Sequence, residues 1–110
     1  MKRMLIPFLL ATACSGGPEV PADVLPVDRF TTVLLEAQLI EARVNHEMII
    51  AHHASIPAEQ FYSEMFKANG VTRESFARSF TYYSGRPELM KSIYEDIFAE
   101  LGRRKDAQPE

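Results

Sequence analysis

The chain has 110 residues, a formal net charge of −3 and 25 % charged side chains. This length fits one small domain, and the acidic balance argues against nucleic acid as a partner. The chain contains a single cysteine, which excludes a framework of internal disulfide bonds.

The N-terminus has the pattern of an export signal. Met1-Lys2-Arg3 is charged, residues 4–11 are mostly apolar, and the small pair Thr12-Ala13 precedes Cys14. The apolar run is shorter than the about 20 residues that a membrane-spanning helix needs. The order is similar to a bacterial lipoprotein signal, which predicts that residues 1–13 are removed and that Cys14 is lipidated.

The alternative is an ordinary secretory signal that is cut after Ala13 or Gly16, with Cys14 incidental. A lone cysteine in an exported chain has no disulfide partner, which favours the lipid-bearing role. Residues 14–25 are rich in glycine and proline and lack helical periodicity, so a flexible tether is predicted after the lipidated cysteine. Ser15 stands where an inner-membrane retention signal usually has aspartate, which favours the outer membrane.

The first helix is predicted to begin at Asp28, its N-cap, and to end before Pro57. The second helix is predicted from Pro57 to Asn69, with Gly70 in the left-handed conformation that ends a helix. Apolar side chains recur along the first helix every three or four residues: Phe30, Val33, Leu34, Ala37, Ile40, Val44, Met48 and Ala51.

Thr72 is predicted to cap the third helix, and Pro87 to open the fourth after a break at residues 84–86. The fourth helix is predicted to end at Gly102. Each of these helices carries one apolar stripe that predicts core side chains: Phe76, Phe80 and Tyr83 on the third, and Leu89, Ile93, Ile97 and Leu101 on the fourth.

These segments predict an all-α domain, a small bundle of about four helices, over residues 26–106. No segment shows the sustained alternation of apolar and polar residues that is typical of strands. Residues 107–110 are polar and are predicted to form a disordered tail.

The segment Gly70-Val71-Thr72-Arg73-Glu74 is followed at fixed spacing by Phe76, Ser79, Tyr82-Tyr83 and Pro87-Glu88. This order resembles the small bacterial lipoproteins grouped as domain of unknown function 4296, and the resemblance covers nearly the whole mature chain. It implies an all-helical lipoprotein of the cell envelope without an assigned activity.

Three histidines near the end of the first helix raise the question of a metal site. His46 and His53 would lie about 10.5 Å apart along a helix axis. Zinc requires each nitrogen within about 2.1 Å, so these two cannot share one ion in an intact helix. No metal site, cofactor or catalytic residue is therefore predicted. A metal-binding protein or an enzyme that uses His46, His52 or His53 is the alternative.

Tyr82 is the centre of a predicted partner-binding surface. Adjacent helix positions point about 100° apart, so Tyr82 is expected at the rim if Tyr83 lies in the core. Arg78 and Arg86 flank it, and tyrosine and arginine are the residue types most enriched at binding hot spots. The alternative is that Tyr82 only covers the end of the third helix.

Together these features predict an outer-membrane lipoprotein that faces the periplasm and acts as a binding or assembly-accessory module, not as an enzyme. The predicted partners are the membrane, through the lipid on Cys14, and an envelope protein that the sequence does not identify. Nucleic acid is not among them.

Overall fold

A computed structural model of the chain describes residues 20–50 and 58–108, without the side chains of residues 47–50. The described residues form four α-helices, which confirms the predicted all-α bundle. No described helix combines the length and the apolar character needed to span a bilayer. The helices are α1 (Val27–Ile50), α2 (Ala58–Asn69), α3 (Arg73–Ser84) and α4 (Pro87–Ala107).

The start of α1 differs from the prediction. The amide of Phe30 donates to the carbonyl of Pro26 at 2.8 Å, and this bond closes the first helical turn. Pro26 therefore occupies the N-cap position, where only its carbonyl is needed. The prediction of Asp28 as the N-cap is wrong, since Asp28 lies within the first turn, where its charge complements the helix dipole.

The turn between α2 and α3 forms as predicted. Gly70 has φ +67°, and the amides of Gly70 and Val71 donate to the carbonyls of Lys67 and Phe66, which satisfies the last carbonyls of α2. Thr72 then caps α3 by accepting a hydrogen bond of 3.0 Å from the amide of Ser75. These local bonds fix the short connection between the two helices.

The end of α4 was predicted wrongly, because the helix continues through Gly102 to Ala107. Among the described residues only Gly70 has a positive φ, so Gly102 does not adopt the conformation that ends a helix. Beyond it, the carboxylate of Glu100 accepts hydrogen bonds from Arg104, at 2.9 Å, and from Arg103. These two bonds hold the pKa of Glu100 below its usual value, and they brace the last turns of the helix.

α1 lies at the centre of the bundle because it contributes to two apolar clusters. α1 and α2 run antiparallel, since Arg29 near the start of α1 donates to the carbonyl of Asn69 at the end of α2, at 2.7 Å. The first cluster joins α1 to α3 and α4 and consists of Val24, Phe30, Leu34, Leu35, Tyr83, Ile93 and Ile97. The second cluster joins α1 to α2 and consists of Val33, Ala37, Met65, Phe66 and Val71.

The apolar stripe of α3 is only partly in the core. Tyr83 is fully buried and Phe76 is half-buried, but Phe80 is 39 % exposed, so the prediction of Phe80 as a core residue is wrong. Ser79 is buried in its place. The reason is that residues 20–25, which precede α1, cover the Ser79 side of α3 and leave the Phe80 side open.

Candidate interaction surfaces

Residues 20–25, called the strap below, are hydrogen-bonded to two buried side chains of α3. The amide of Leu25 donates to the hydroxyl of Ser79 at 2.8 Å, and the hydroxyl of Tyr83 donates to the carbonyl of Leu25 at 2.7 Å. Val24 is buried beside them. Burial raises the pKa of Tyr83, so its phenol remains a hydrogen-bond donor. The sequence assigned residues 14–25 to the tether, whereas the structure places the strap in the folded domain.

Arg78, one of the three residues predicted to bind a partner, contacts the strap. Its Nε atom lies 3.1 Å from a carboxylate oxygen of Asp23 and 3.4 Å from the Asp23 carbonyl. Both side chains are about half exposed, so this ion pair contributes little to stability by itself. Its position indicates that Arg78 helps to fix the strap on α3.

Tyr82 and Arg86, the other two predicted residues, are brought together. The guanidinium carbon of Arg86 lies 3.7 Å from the ring centroid of Tyr82, and Nη1 donates to the Tyr82 carbonyl at 3.0 Å. The Tyr82 and Tyr83 rings pack edge to face, with their centroids 5.1 Å apart and their planes at 89°. Tyr82 is therefore half-buried and held on two sides, and Arg86 stacks on it in place of capping α4.

An open depression adjoins this pair at the start of α4. Its volume is about 600 Å³. It leaves space beside the Arg86 side chain. The lining residues are Gly85, Arg86, Pro87, Glu88 and Leu89.

A second depression, the aromatic groove, lies between α2 and α3 and has a volume of about 440 Å³. Its aromatic rings are tilted against one another: the centroid distance is 5.6 Å from Phe66 to Phe76 and 6.4 Å from Phe76 to Phe80. The residues that line it are Glu59, Tyr62, Phe66, Arg73, Phe76, Ala77 and Phe80.

Two charged side chains stand at the rim of the aromatic groove. Nη2 of Arg73 donates to one carboxylate oxygen of Glu59 at 2.8 Å. The guanidinium carbon of Arg73 also lies 5.3 Å from the ring centroid of Phe66, above the apolar floor. The Glu59 side chain is 82 % exposed and the Arg73 side chain 50 %, so the arginine lies deeper in the groove.

The wall of the groove at Tyr62 is fixed by a hydrogen bond to α1. The Tyr62 hydroxyl donates to a carboxylate oxygen of Glu41 at 2.5 Å. Burial, together with this bond to a carboxylate, raises the pKa of Tyr62 to about 12. The phenol therefore stays protonated at neutral pH. Its hydrogen bond to Glu41 keeps this wall of the groove in place.

The aromatic groove is not among the surfaces predicted from the sequence. The helical spacing of Phe80 from Phe76 and Tyr83 predicts a core side chain instead. The available signal was the second stripe at Arg73, Ala77 and Phe80, whose spacing of four and three residues places one cation and two apolar side chains on one helix edge.

The histidine alternative receives no support from the described residues. His46 is exposed on α1, while His52 and His53 lie outside the described residues. Within residues 20–50 and 58–108, no group of three or more His, Cys, Asp or Glu side chains is placed to hold a metal ion. Cys14 and the signal that precedes it also lie outside the described residues.

The chain is similar in sequence to a known protein family. A family model described as "Domain of unknown function (DUF4296)" matches residues 21–107. The matched region contains nearly all of the strap and all four helices, and it covers well over half of the chain. Neither a curated protein nor a solved structure matches the sequence.

Proposed function

The chain belongs to the DUF4296 family, and we propose that it is a lipid-anchored cell-envelope protein whose helical domain binds another envelope protein. In this proposal residues 1–13 are removed, Cys14 carries the lipid, and the domain lies on the periplasmic side of the outer membrane. Support for the anchor comes from the charged start, the short apolar run and the small residues before Cys14.

The strap limits how far the domain can lie from its anchor. Five residues lie between Cys14 and Val20, and the six Cα–Cα steps that join the two residues span at most about 22 Å when fully extended. The strap itself is hydrogen-bonded to α3 through Leu25, so it does not lengthen the flexible connection between the domain and Cys14. The proposed protein therefore works close to the bilayer, and its partner is either a membrane protein or a protein held near the membrane.

The observation that carries the binding proposal is the stacked pair of Tyr82 and Arg86. Both residue types are enriched at hot spots, and rigid side chains lose little conformational entropy when a partner binds. Here the Tyr82 ring is held between Arg86 and Tyr83 before any partner arrives. In this proposal Arg78 acts on the same face of α3 by holding the strap beside the pair.

We expect the double substitution Tyr82→Ala and Arg86→Ala to weaken binding of the partner by about 30-fold or more. This corresponds to about 2 kcal/mol, the usual threshold of a hot spot. The measurement is photocrosslinking in cells from a residue beside the pair, Glu88, followed by mass spectrometry and by affinity measurement with the partner so identified.

The matched control is the pair Thr81→Ala and Lys91→Ala, which alters two exposed side chains of α3 and α4 outside the stacked pair. Circular dichroism must show the same helix content for all variants. Unchanged affinity in the Tyr82 and Arg86 variant, with the fold intact, would contradict the proposal that this pair forms the interface.

A further inference from the structure

We propose that the aromatic groove is a second binding site, which takes an aromatic side chain of a polypeptide and places an adjacent carboxylate on the guanidinium of Arg73. The site is independent of the surface around Tyr82. Phe80 and Tyr82 are two positions apart on α3, so they point about 160° away from each other.

The arrangement of the rings indicates an aromatic occupant. Phe66, Phe76 and Phe80 form a continuous series with centroid distances of 5.6 and 6.4 Å and interplanar angles of 47° and 57°. Aromatic pairs favour tilted contacts at about 4.5 to 7 Å, and Phe80 ends the series with an exposed ring. One more ring, supplied by a partner, would continue the series and cover Phe80.

The rim indicates the charge of the occupant. Among the described residues Arg73 donates one hydrogen bond, to Glu59, and most of its guanidinium donors are therefore open to another carboxylate there. Because Arg73 lies above the Phe66 ring while Glu59 is 82 % exposed, a group seated on the floor of the groove lies closer to the cation than to the carboxylate. A carboxylate is therefore the complementary group.

The openness of the groove favours a polypeptide over a small amphiphile. It is an open depression between two helices of 12 residues each, which are about 18 Å long, and not an enclosed cavity. Sites for small ligands usually enclose about 70 to 90 % of the ligand surface. A side chain of a bound polypeptide needs less enclosure by the groove, because the rest of the polypeptide covers its other side.

The absence of tryptophan from the chain permits a direct test. The fluorescence of the tetrapeptide Ac-Ala-Trp-Glu-Ala-NH2 is measured while the purified full chain carrying Cys14→Ala is added. We expect a saturable blue shift of the peptide emission. The same peptide with lysine in place of glutamate is expected to bind about tenfold more weakly, because it loses a charge-assisted hydrogen bond and repels Arg73.

Two variants separate the apolar contact from the charged one. Phe80→Ala is expected to weaken binding of the glutamate peptide by about tenfold, because it removes the exposed ring of the groove. Arg73→Gln is expected to abolish the preference for glutamate over lysine while the blue shift persists. Phe98→Ala is the matched control, since Phe98 is 66 % exposed on α4 outside the groove, and it is expected to change nothing.

Three results would overturn the proposal. The first is an unsaturable signal, and the second is equal affinity for the glutamate and lysine peptides. The third is binding of palmitate that depends on Phe80 without binding of either peptide, which would assign the groove to an amphiphile. None of these outcomes bears on the lipid anchor or on Tyr82, so this site and the proposed function can fail separately.

Discussion

Phe30→Ala is expected to lower the free energy of unfolding by about 3 to 5 kcal/mol, the usual cost of truncating a buried aromatic residue. Phe30 has no exposed surface. Its ring stacks on the rings of Tyr83 and Phe76, with centroid distances of 4.7 and 5.6 Å. It therefore joins α1 to α3 at the centre of the first cluster. A small domain is stable by only about 5 to 15 kcal/mol, so the variant should lose much of its stability.

Chemical denaturation followed by circular dichroism measures this loss. Phe98→Ala is the matched control, because it removes the same side chain from an exposed site of α4, and its stability should stay within about 0.5 kcal/mol of the parent. A similar loss in both variants would show that the first cluster does not hold the bundle together.

The second large effect concerns the strap. Ser79→Ala removes the acceptor of the Leu25 amide, and Tyr83→Phe removes the donor to the Leu25 carbonyl. Each change leaves a partly buried polar group without its partner, which costs about 1 to 3 kcal/mol. We expect both variants to be destabilised by this amount and the Leu25 amide to exchange its hydrogen faster.

Two variants of the same residue types serve as controls for the strap. Ser84→Ala changes an exposed serine of α3, and Tyr94→Phe removes the hydroxyl of a half-buried tyrosine of α4. Both should leave the exchange of the Leu25 amide as it is in the parent. Exchange at Leu25 that is equally fast in the parent chain would mean that the strap is not held in solution.

The positions of the helices could be predicted from the sequence wherever the signal is local. Gly70 and Thr72 act through hydrogen bonds to residues at most five positions away, and Pro87 opens α4 without needing an amide partner. These boundaries follow from the chemistry of the residues themselves. Apolar residues at three- and four-residue spacing were sufficient to predict the rest of the all-α fold.

The predictions for the strap and for Phe80 fail because residues that are distant in the sequence determine the local structure. Leu25 is hydrogen-bonded to Ser79 and Tyr83, which follow it by 54 and 58 positions in the sequence. No local sequence pattern predicts such a contact. That contact buries Ser79 and leaves Phe80 open, so the core side of α3 differs from its apolar stripe. Gly102 is an exception, because its error has a local cause: the pairing of Glu100 with Arg103 and Arg104 in the same helix sustains the helix past the glycine.

For the candidate surfaces too, contacts between residues close in the sequence could be predicted and contacts between distant residues could not. Tyr82 near the end of α3 and Arg86 just before α4 are four positions apart, and their proximity could be anticipated from the sequence. The pairing of Arg78 with Asp23 could not, and neither could the aromatic groove, which depends on how α2 and α3 pack.

The most direct test of a lipid-anchored protein is the mass of its N-terminal fragment. The protein is extracted from membranes of cells that express the full chain, digested, and analysed by mass spectrometry. We expect a fragment that begins at Cys14 and carries the added mass of the acyl chains, and no such fragment from a Cys14→Ala variant. A mature protein that begins after Cys14, or one whose Cys14 carries no lipid, would contradict it.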